Sequence, residues 1–318
     1  MFSVAGKHPI AGGGMYSDEL ADKAFCPTPQ GWVLVRDRLD ATDTYLLDHH
    51  TGDKIRLPPL TIDPDRLIDC TCLLSHTRPA TSPSCVLLVV QPDEPIIWYV
   101  HVNAGNGSNG WAWTRHEYDI GTQGNEACGF ESILMDMAAA CRGKFYFVTS
   151  PIDFGVLEFS PAPVFTAFVV TEDDDEGGYD STETGRAFLV ESDDELYMVK
   201  QLTSQDYNEA LVYKLEESST SSGQRQWRWR PVHDLGGRAF FVAPFNFGTS
   251  CLVAGDESGI QPNCCLTVFD VTDGTMQLCS IEQALSFNGG AGSEEVPPPA
   301  TAKTMTWMLP TDPKAAIA

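Results

Sequence analysis

Several histidines of this sequence lie beside carboxylates or other histidines and could support acid–base or metal chemistry, but none of the groupings is complete. His233 directly precedes Asp234, so in an extended backbone their side chains point to opposite faces and cannot form a catalytic relay. His49–His50 lies in a polar turn, where a solvated pair is the expected role. His116–Glu117 lacks the second His of a helical zinc motif. We therefore predict no catalytic residue and no enzyme.

The cysteines and the acidic tract are the remaining candidates for a metal site. Ten Cys are scattered through apolar segments, as expected of reduced, buried thiols, and neither Cys70 with Cys72 nor Cys264 with Cys265 has zinc-ligand spacing. The tract "DDDEGGYDSTET" resembles a calcium loop in composition. However, Gly177 stands at its fifth position, where a ligand belongs. We predict no metal and no cofactor, since phosphate-binding glycine motifs are also missing from the sequence.

The stretch "QWRWRPVHDLGGRAFFV" interleaves aromatic and basic residues, which could indicate a nucleic-acid stripe or a strand. Alternation in a strand places Trp227 and Trp229 on one face, and Arg228 and Arg230 on the other. The flanks carry almost no further basic residues, which favours the strand, and the glycine pair after it supplies a turn. The residues with expected structural roles are Trp32, Trp227, Trp229, Gly236 and Gly237.

The overall charge limits the classes of partner. A formal net charge of −24 and a pI near 4.4 oppose binding to nucleic acid and to anionic membranes, because both require a clustered positive field. No segment has the apolar length of a membrane helix, and the first residues have no secretory apolar region. We predict a soluble monomer inside the cell, in the cytoplasm or nucleus.

The elements that must position these residues are strands. Short segments rich in Val, Phe, Tyr, Leu and Trp alternate with turns of Gly, Pro, Asp and Asn. Only "ESILMDMAAAC" and "SIEQALSF" could hold a helix. Recurrence at roughly 40 to 50 residues predicts an all-β β-propeller of about six blades, each a four-stranded antiparallel sheet. A pair of β-sandwiches and a large barrel are the alternatives. We place the propeller at residues 28–287, between disordered tails at 1–27 and 288–318.

Several motifs follow one another along the chain in the order found in a known domain family. The segment "GWVLVRDRLDATDTYLLDHHTGDKIRLPPL" and the later "RGKFYFV", "GVLEFSP", "AFLVESDDELYMVKQL", "WRWRPVHDLGGRAFFV" and "TWMLP" span residues 30–310. They resemble the plant KIB-type β-propeller domain, also called domain of unknown function 295. That resemblance implies a propeller that often follows an F-box and recruits the substrate of a ubiquitin ligase. The residues before Trp32 show no F-box signature.

We therefore expect a non-enzymatic protein-interaction propeller whose partner is an unidentified protein. The family resemblance implies that this partner is a ubiquitin-ligase substrate. The expected contact regions are the 103–118 loop and the acidic 172–183 loop. Two alternatives stay open: a propeller enzyme with a site in the central channel, and a decayed paralogue without function. The residues expected to contact the partner are Trp111, Trp113, Asp173, Asp174 and Asp175.

Overall fold

The structure, a computed structural model, describes residues 2–3, 8–9, 22–48, 51–103, 111–125, 129–149, 153–172, 184–203, 208–219, 225–243, 247–253, 263–268, 276–280 and 307–308. The chain divides into two compact units, which we describe separately. The first unit is Ala11–Ala167, and the second unit combines Met1–Ile10 with Phe168–Ala318.

The described residues are almost entirely strands. The elements up to the middle of the chain are β1 (Phe2–Ser3), β2 (His8–Pro9), β3 (Lys23–Pro27), β4 (Trp32–Asp37), β5 (Thr44–Asp48), β6 (Lys54–Arg56), helix α1 (Pro64–Leu67), β7 (Thr71–Leu74), β8 (Val86–Val90), β9 (Ile96–His101), β10 (Thr114–Glu117), β11 (Thr122–Asn125), β12 (Gly129–Ser132), β13 (Asp136–Cys141), β14 (Lys144–Val148) and β15 (Asp153–Phe159). They are followed by β16 (Pro163–Glu172), β17 (Thr184–Ser192), β18 (Glu195–Thr203), β19 (Asn208–Ser219), β20 (Arg225–Pro231), β21 (Arg238–Ala243), β22 (Phe247–Leu252), β23 (Cys264–Val268), β24 (Met276–Ser280) and β25 (Trp307–Met308).

The first unit contains successive antiparallel meanders. Strands β3 to β6 form one four-stranded sheet and β7 to β10 form the next, each strand pairing with its neighbour in sequence. Strands β11 and β12 form a separate two-stranded hairpin, and β13 to β16 follow in order. Strand β16 continues into the second unit.

Packing of sheet against sheet explains why the central strands are apolar along their whole length. All five residues of β8 are buried. Leu87 and Val89 belong to a cluster shared with the β3–β6 sheet, whereas Leu88 and Val90 belong to a second cluster shared with β13–β15. Because both faces of the sheet are covered, β8 reads as a continuous apolar segment and not as an alternating one.

The second unit repeats this arrangement with some irregularity. Strands β17 to β20 form an antiparallel meander, and the end of β16 pairs in parallel with β20. The next sheet has the order β22-β21-β23-β24, in which β21 and β23 are parallel. Residues of both groups share one core cluster, which includes Phe188, Val199 and Phe240. Strands β1, β2 and β25 form a small three-stranded sheet.

The prediction of an all-β chain built from four-stranded units is confirmed. Among the described residues, five successive runs of four strands can be recognised: β3–β6, β7–β10, β13–β16, β17–β20 and β21–β24. In the described part of the chain, no helix has the length and apolar character required to cross a membrane.

Three local predictions need correction. The segment "ESILMDMAAAC" is not a helix, because Asp136–Cys141 forms β13; its alanines pair with the aromatic strand β14, with Ala140 opposite Phe145, and this tertiary contact outweighs helix propensity. The predicted disordered stretch 1–27 is wrong over Lys23–Pro27, which is the edge strand of the first sheet. Both predicted tails also contain the short strands β1, β2 and β25. The other predicted helix, "SIEQALSF", lies outside the described residues apart from its first residue.

Candidate protein-interaction surface

The two tryptophans predicted to contact a partner pack onto the core of the first unit. Both are half-buried against the cluster shared by the first two sheets. The Trp111 Nε1 donates to the carbonyl of His101 at 2.9 Å, and the Trp113 Nε1 donates to the carbonyl of Pro58 at 3.0 Å. Residues 114–117 of the predicted 103–118 loop are strand β10. A role for Trp111 and Trp113 in partner binding stays a prediction.

Asp173, Asp174 and Asp175 lie outside the described residues, and so does the rest of the acidic tract up to residue 183. The same holds for His49–His50.

The interleaved Trp and Arg residues form strand β20, as the alternation predicts. Trp229 is buried, with 3% of its surface exposed, and Trp227 stacks on Phe168 with a ring separation of 5.7 Å. On the other face, Arg228 and Arg230 both approach Glu216 of strand β19, at 3.9 and 3.3 Å. The basic residues of this stretch are therefore paired with an acidic neighbour across the sheet.

The glycine pair after this strand forms the predicted turn. Gly236 and Gly237 have φ angles of +67° and +81°, which residues other than glycine rarely adopt. The carboxylate of Asp234 accepts a hydrogen bond from the Gly236 N–H at 2.8 Å. Asp234 therefore stabilises the turn, and both it and the adjacent His233 are exposed. Trp32, the remaining predicted structural residue, lies in the core cluster of the first two sheets.

The histidine and cysteine side chains that could do chemistry are also packed against the core. His116 is half-buried and stacks on Phe165 at 6.3 Å. Burial raises the pKa of the Cys70 thiol to about 12 and that of Cys85 to about 11. A hydrogen bond with Cys72, together with burial, raises the pKa of Cys26. These thiols are protonated at neutral pH and are poor nucleophiles. Within the described ranges, His, Cys, Asp and Glu side chains do not gather in groups that could hold a metal ion.

The distribution of charge distinguishes the surface from the interior. Two arginines, Arg36 and Arg238, are among the buried residues, with 8% and 6% exposure, whereas the buried residues that the structure describes include no Asp or Glu. Arg36 donates to the carbonyl of Leu60 at 2.8 Å, and Arg238 approaches Asp193 at 3.2 Å. Two positive charges are thus withdrawn from the surface, while every carboxylate whose burial is described remains at least partly accessible.

Sequence reasoning missed one exposed element, the β11–β12 hairpin. Phe130 in β12 is 82% exposed, which makes it one of the few large apolar side chains on the described surface. The segment "GTQGNEACGFES" is polar and rich in glycine, so it reads as a loop. The only local signal was a lone Phe between glycine and glutamate.

Comparison with known proteins identifies the family. A family model described as KIB1-4 beta-propeller matches residues 6–288, which include every sheet of four strands described above. Comparison with curated proteins gave no match. The match agrees with the succession of four-stranded sheets and with the order of the sequence motifs. The chain therefore belongs to the KIB1-4 beta-propeller family.

Proposed function

We propose that this chain is a non-enzymatic protein-interaction domain that recruits a partner protein with a basic surface. The observation that carries the proposal is the separation of charge described above. The chain has 44 acidic and 20 basic residues, and two of the basic ones, Arg36 and Arg238, are buried. Complementary charge increases the rate of encounter and disfavours acidic partners.

The family suggests the biological setting of this recruitment. The chain resembles the substrate-recruiting domain of plant F-box ubiquitin-ligase subunits, and we propose that the partner is a ligase substrate. The propeller supplies a rigid support for exposed turns and hairpins, which is where binding residues are commonly found.

Affinity capture tests the proposal. The full chain is immobilised, incubated with plant extract, and washed at low and at high salt. We expect bound proteins with basic surfaces, and their retention falls with salt because exposed charges are screened. An unrelated acidic protein of similar net charge is the control for simple ion exchange. Recovery equal to that of this control would refute the proposal, and probing the captured set for ubiquitin-ligase subunits tests the ligase setting separately.

A further inference from the structure

The β11–β12 hairpin stands apart from the sheets of the first unit. Its two strands pair only with each other among the described residues, with Thr122 opposite Ser132 and Asn125 opposite Gly129. Where burial is described, every residue of both strands is exposed. A two-stranded hairpin is marginally stable by itself in water, and a further strand would stabilise it.

The base of the hairpin is fixed to the core. The Met135 N–H donates to the Tyr118 hydroxyl at 2.8 Å, and both residues are buried in the cluster shared by the second and third sheets. The Ile133 N–H donates to the carbonyl of Gly121 at 2.9 Å. The hairpin therefore begins and ends at a firm base, while its strands extend into solvent.

The two faces of strand β12 differ in chemistry. Phe130 lies on one face, and Glu131, its neighbour, lies on the other because side chains alternate along a strand. The residue opposite Phe130 is Gly124, and a Cβ placed there would meet no heavy atom within 4 Å. The ring of Phe130 therefore does not cover Gly124, and it is left open to a ligand. Strand β11 offers only Thr, Gln, Gly and Asn.

The charges along the sequence of this segment have a single sign. Between Arg115 and Arg142 the sequence contains five acidic residues and no Lys or Arg. The acidic residues are Glu117, Asp119, Glu126, Glu131 and Asp136. Glu117 forms an ion pair with Arg115 at 2.7 Å. The other carboxylates of this segment favour a basic ligand over an acidic one.

We infer that the outer edge of strand β12 binds an extended segment of a partner protein as a third strand, in which apolar and Lys or Arg residues alternate. The apolar side chains of that segment pack on Phe130, and its basic side chains face Glu131. Backbone hydrogen bonds supply affinity in this type of recognition, and alternate side chains supply specificity. The inference rests on the proposed function, because it names the site and the chemistry of the partner.

Binding of defined peptides to the full chain tests the inference. The probe is a dye-labelled peptide of about seven residues in which Lys and Val alternate. Both ends are blocked, and the fluorescence anisotropy of the dye reports binding. Three control peptides are used: one alternates Glu and Val, one has the same Lys and Val residues in two blocks, and one carries N-methylated amides. We expect only the first peptide to bind, since the controls remove charge complementarity, alternation and backbone donors in turn.

Variants of the chain locate the site. Phe130→Ala should weaken binding roughly tenfold, because it removes the apolar contact. Phe130→Leu should retain most of the affinity, and Glu131→Lys should weaken binding about fivefold. The matched control is Leu39→Ala, since Leu39 is 98% exposed on a different hairpin, and it should change nothing. Hydrogen exchange of the hairpin amides shows whether each variant keeps the hairpin folded.

Two results would overturn the inference: equal binding of the block peptide, or no binding to a chain whose hairpin amides are protected. The extract experiment separates this inference from the proposed function. If Phe130→Ala captures the same proteins as the unaltered chain, recruitment stands and the hairpin site is refuted. If the unaltered chain captures nothing above its control, the proposed function itself fails.

Discussion

Two phenylalanines of the first unit stand opposite a glycine on the neighbouring strand, and they have opposite environments. Phe147 in β14 pairs with Gly155 and is 2% exposed, whereas Phe130 in β12 pairs with Gly124 and is 82% exposed. A Cβ on Gly155 would lie 2.2 Å from the Cζ atom of Phe147, so that ring covers its glycine. A Cβ on Gly124 would meet nothing within 4 Å.

The difference shows that the cross-strand pair does not determine where the ring lies. Phe147 belongs to the cluster between the second and third sheets, so its ring is packed between its own sheet and the neighbouring one. No described sheet lies against the hairpin to do the same for Phe130. The burial of the Phe ring in a cross-strand Phe–Gly pair therefore depends on which element packs against that face of the strand.

Replacement of each ring by alanine should give the largest contrast. Phe147→Ala is expected to lower the free energy of unfolding by about 3–5 kcal/mol, because it leaves a cavity in a packed cluster. Phe130→Ala should change it by less than about 0.5 kcal/mol, since the ring is exposed. Urea denaturation followed by tryptophan fluorescence measures both. Similar losses for the two variants would mean that the hairpin ring is buried in solution.

The glycines opposite the rings should respond with opposite signs. Gly155→Ala is expected to cost about 1–3 kcal/mol, because its methyl group collides with the Phe147 ring. Gly124→Ala should protect the hairpin amides by about 0.5 kcal/mol, since its φ is not positive and alanine restricts the unfolded chain. Thermal unfolding reports on the first variant and hydrogen exchange on the second. Loss of protection in Gly124→Ala would contradict the open environment described here.

A substitution at Trp113 tests whether a half-buried ring contributes to the core, as Phe147 does, or belongs to the surface, as Phe130 does. Trp113→Phe keeps much of the packing but removes the hydrogen bond to the carbonyl of Pro58. We expect a loss of about 1 kcal/mol in the free energy of unfolding if the indole serves the core. A change below about 0.5 kcal/mol would instead mark Trp113 as a surface residue. The same denaturation assay measures it.

The smallest expected effect concerns charged groups that are partly exposed at the first sheet. Lys23 lies 2.9 Å from Asp37 and 2.5 Å from Asp43. The bond from Lys23, together with two backbone N–H donors, lowers the pKa of Asp37 to about 2. A lowered pKa stabilises the fold above the ordinary carboxyl pKa near 4, and this contribution is lost as the pH falls from about 4 through 2.

Thermal melts between pH 5 and pH 2 check this prediction. Asp37→Asn should melt at a lower temperature than the unaltered chain at pH 5, and the two midpoints should converge toward pH 2. High salt should reduce the difference, because exposed ion pairs are screened. A constant difference across the whole range would show that Asp37 acts through its geometry and not through its charge.

Strand positions were largely predictable because their signal is local. The segment "GWVLVRD" contains β4, and "IIWYVHV" contains β9. Alternation likewise predicted that the Trp and Arg residues of β20 face opposite sides, and Glu216 pairs with the Arg face. Helix α1 was missed although Asp63 caps it and Pro64 begins it, a common start signal.

The candidate site was less predictable because exposure depends on distant residues. Trp111 and Trp113 stand in a polar segment that suggested a free loop. In the structure, the carbonyls of His101 and Pro58 accept hydrogen bonds from their indoles. The Pro58 carbonyl is 55 positions away in sequence, and no local pattern indicates such a partner. The hairpin of Phe130 was overlooked because a glycine-rich polar segment carries little strand signal.

The sequence by itself determined that this chain is all-β and acidic, because residue type and alternation act over a few neighbouring positions. The family followed from the order of its motifs. Only the tertiary structure decided which apolar side chains the sheets cover and which they leave exposed. Burial is set by the element that packs against a strand, and for Phe147 that element is a neighbouring sheet, whereas Phe130 has none in the described part of the chain.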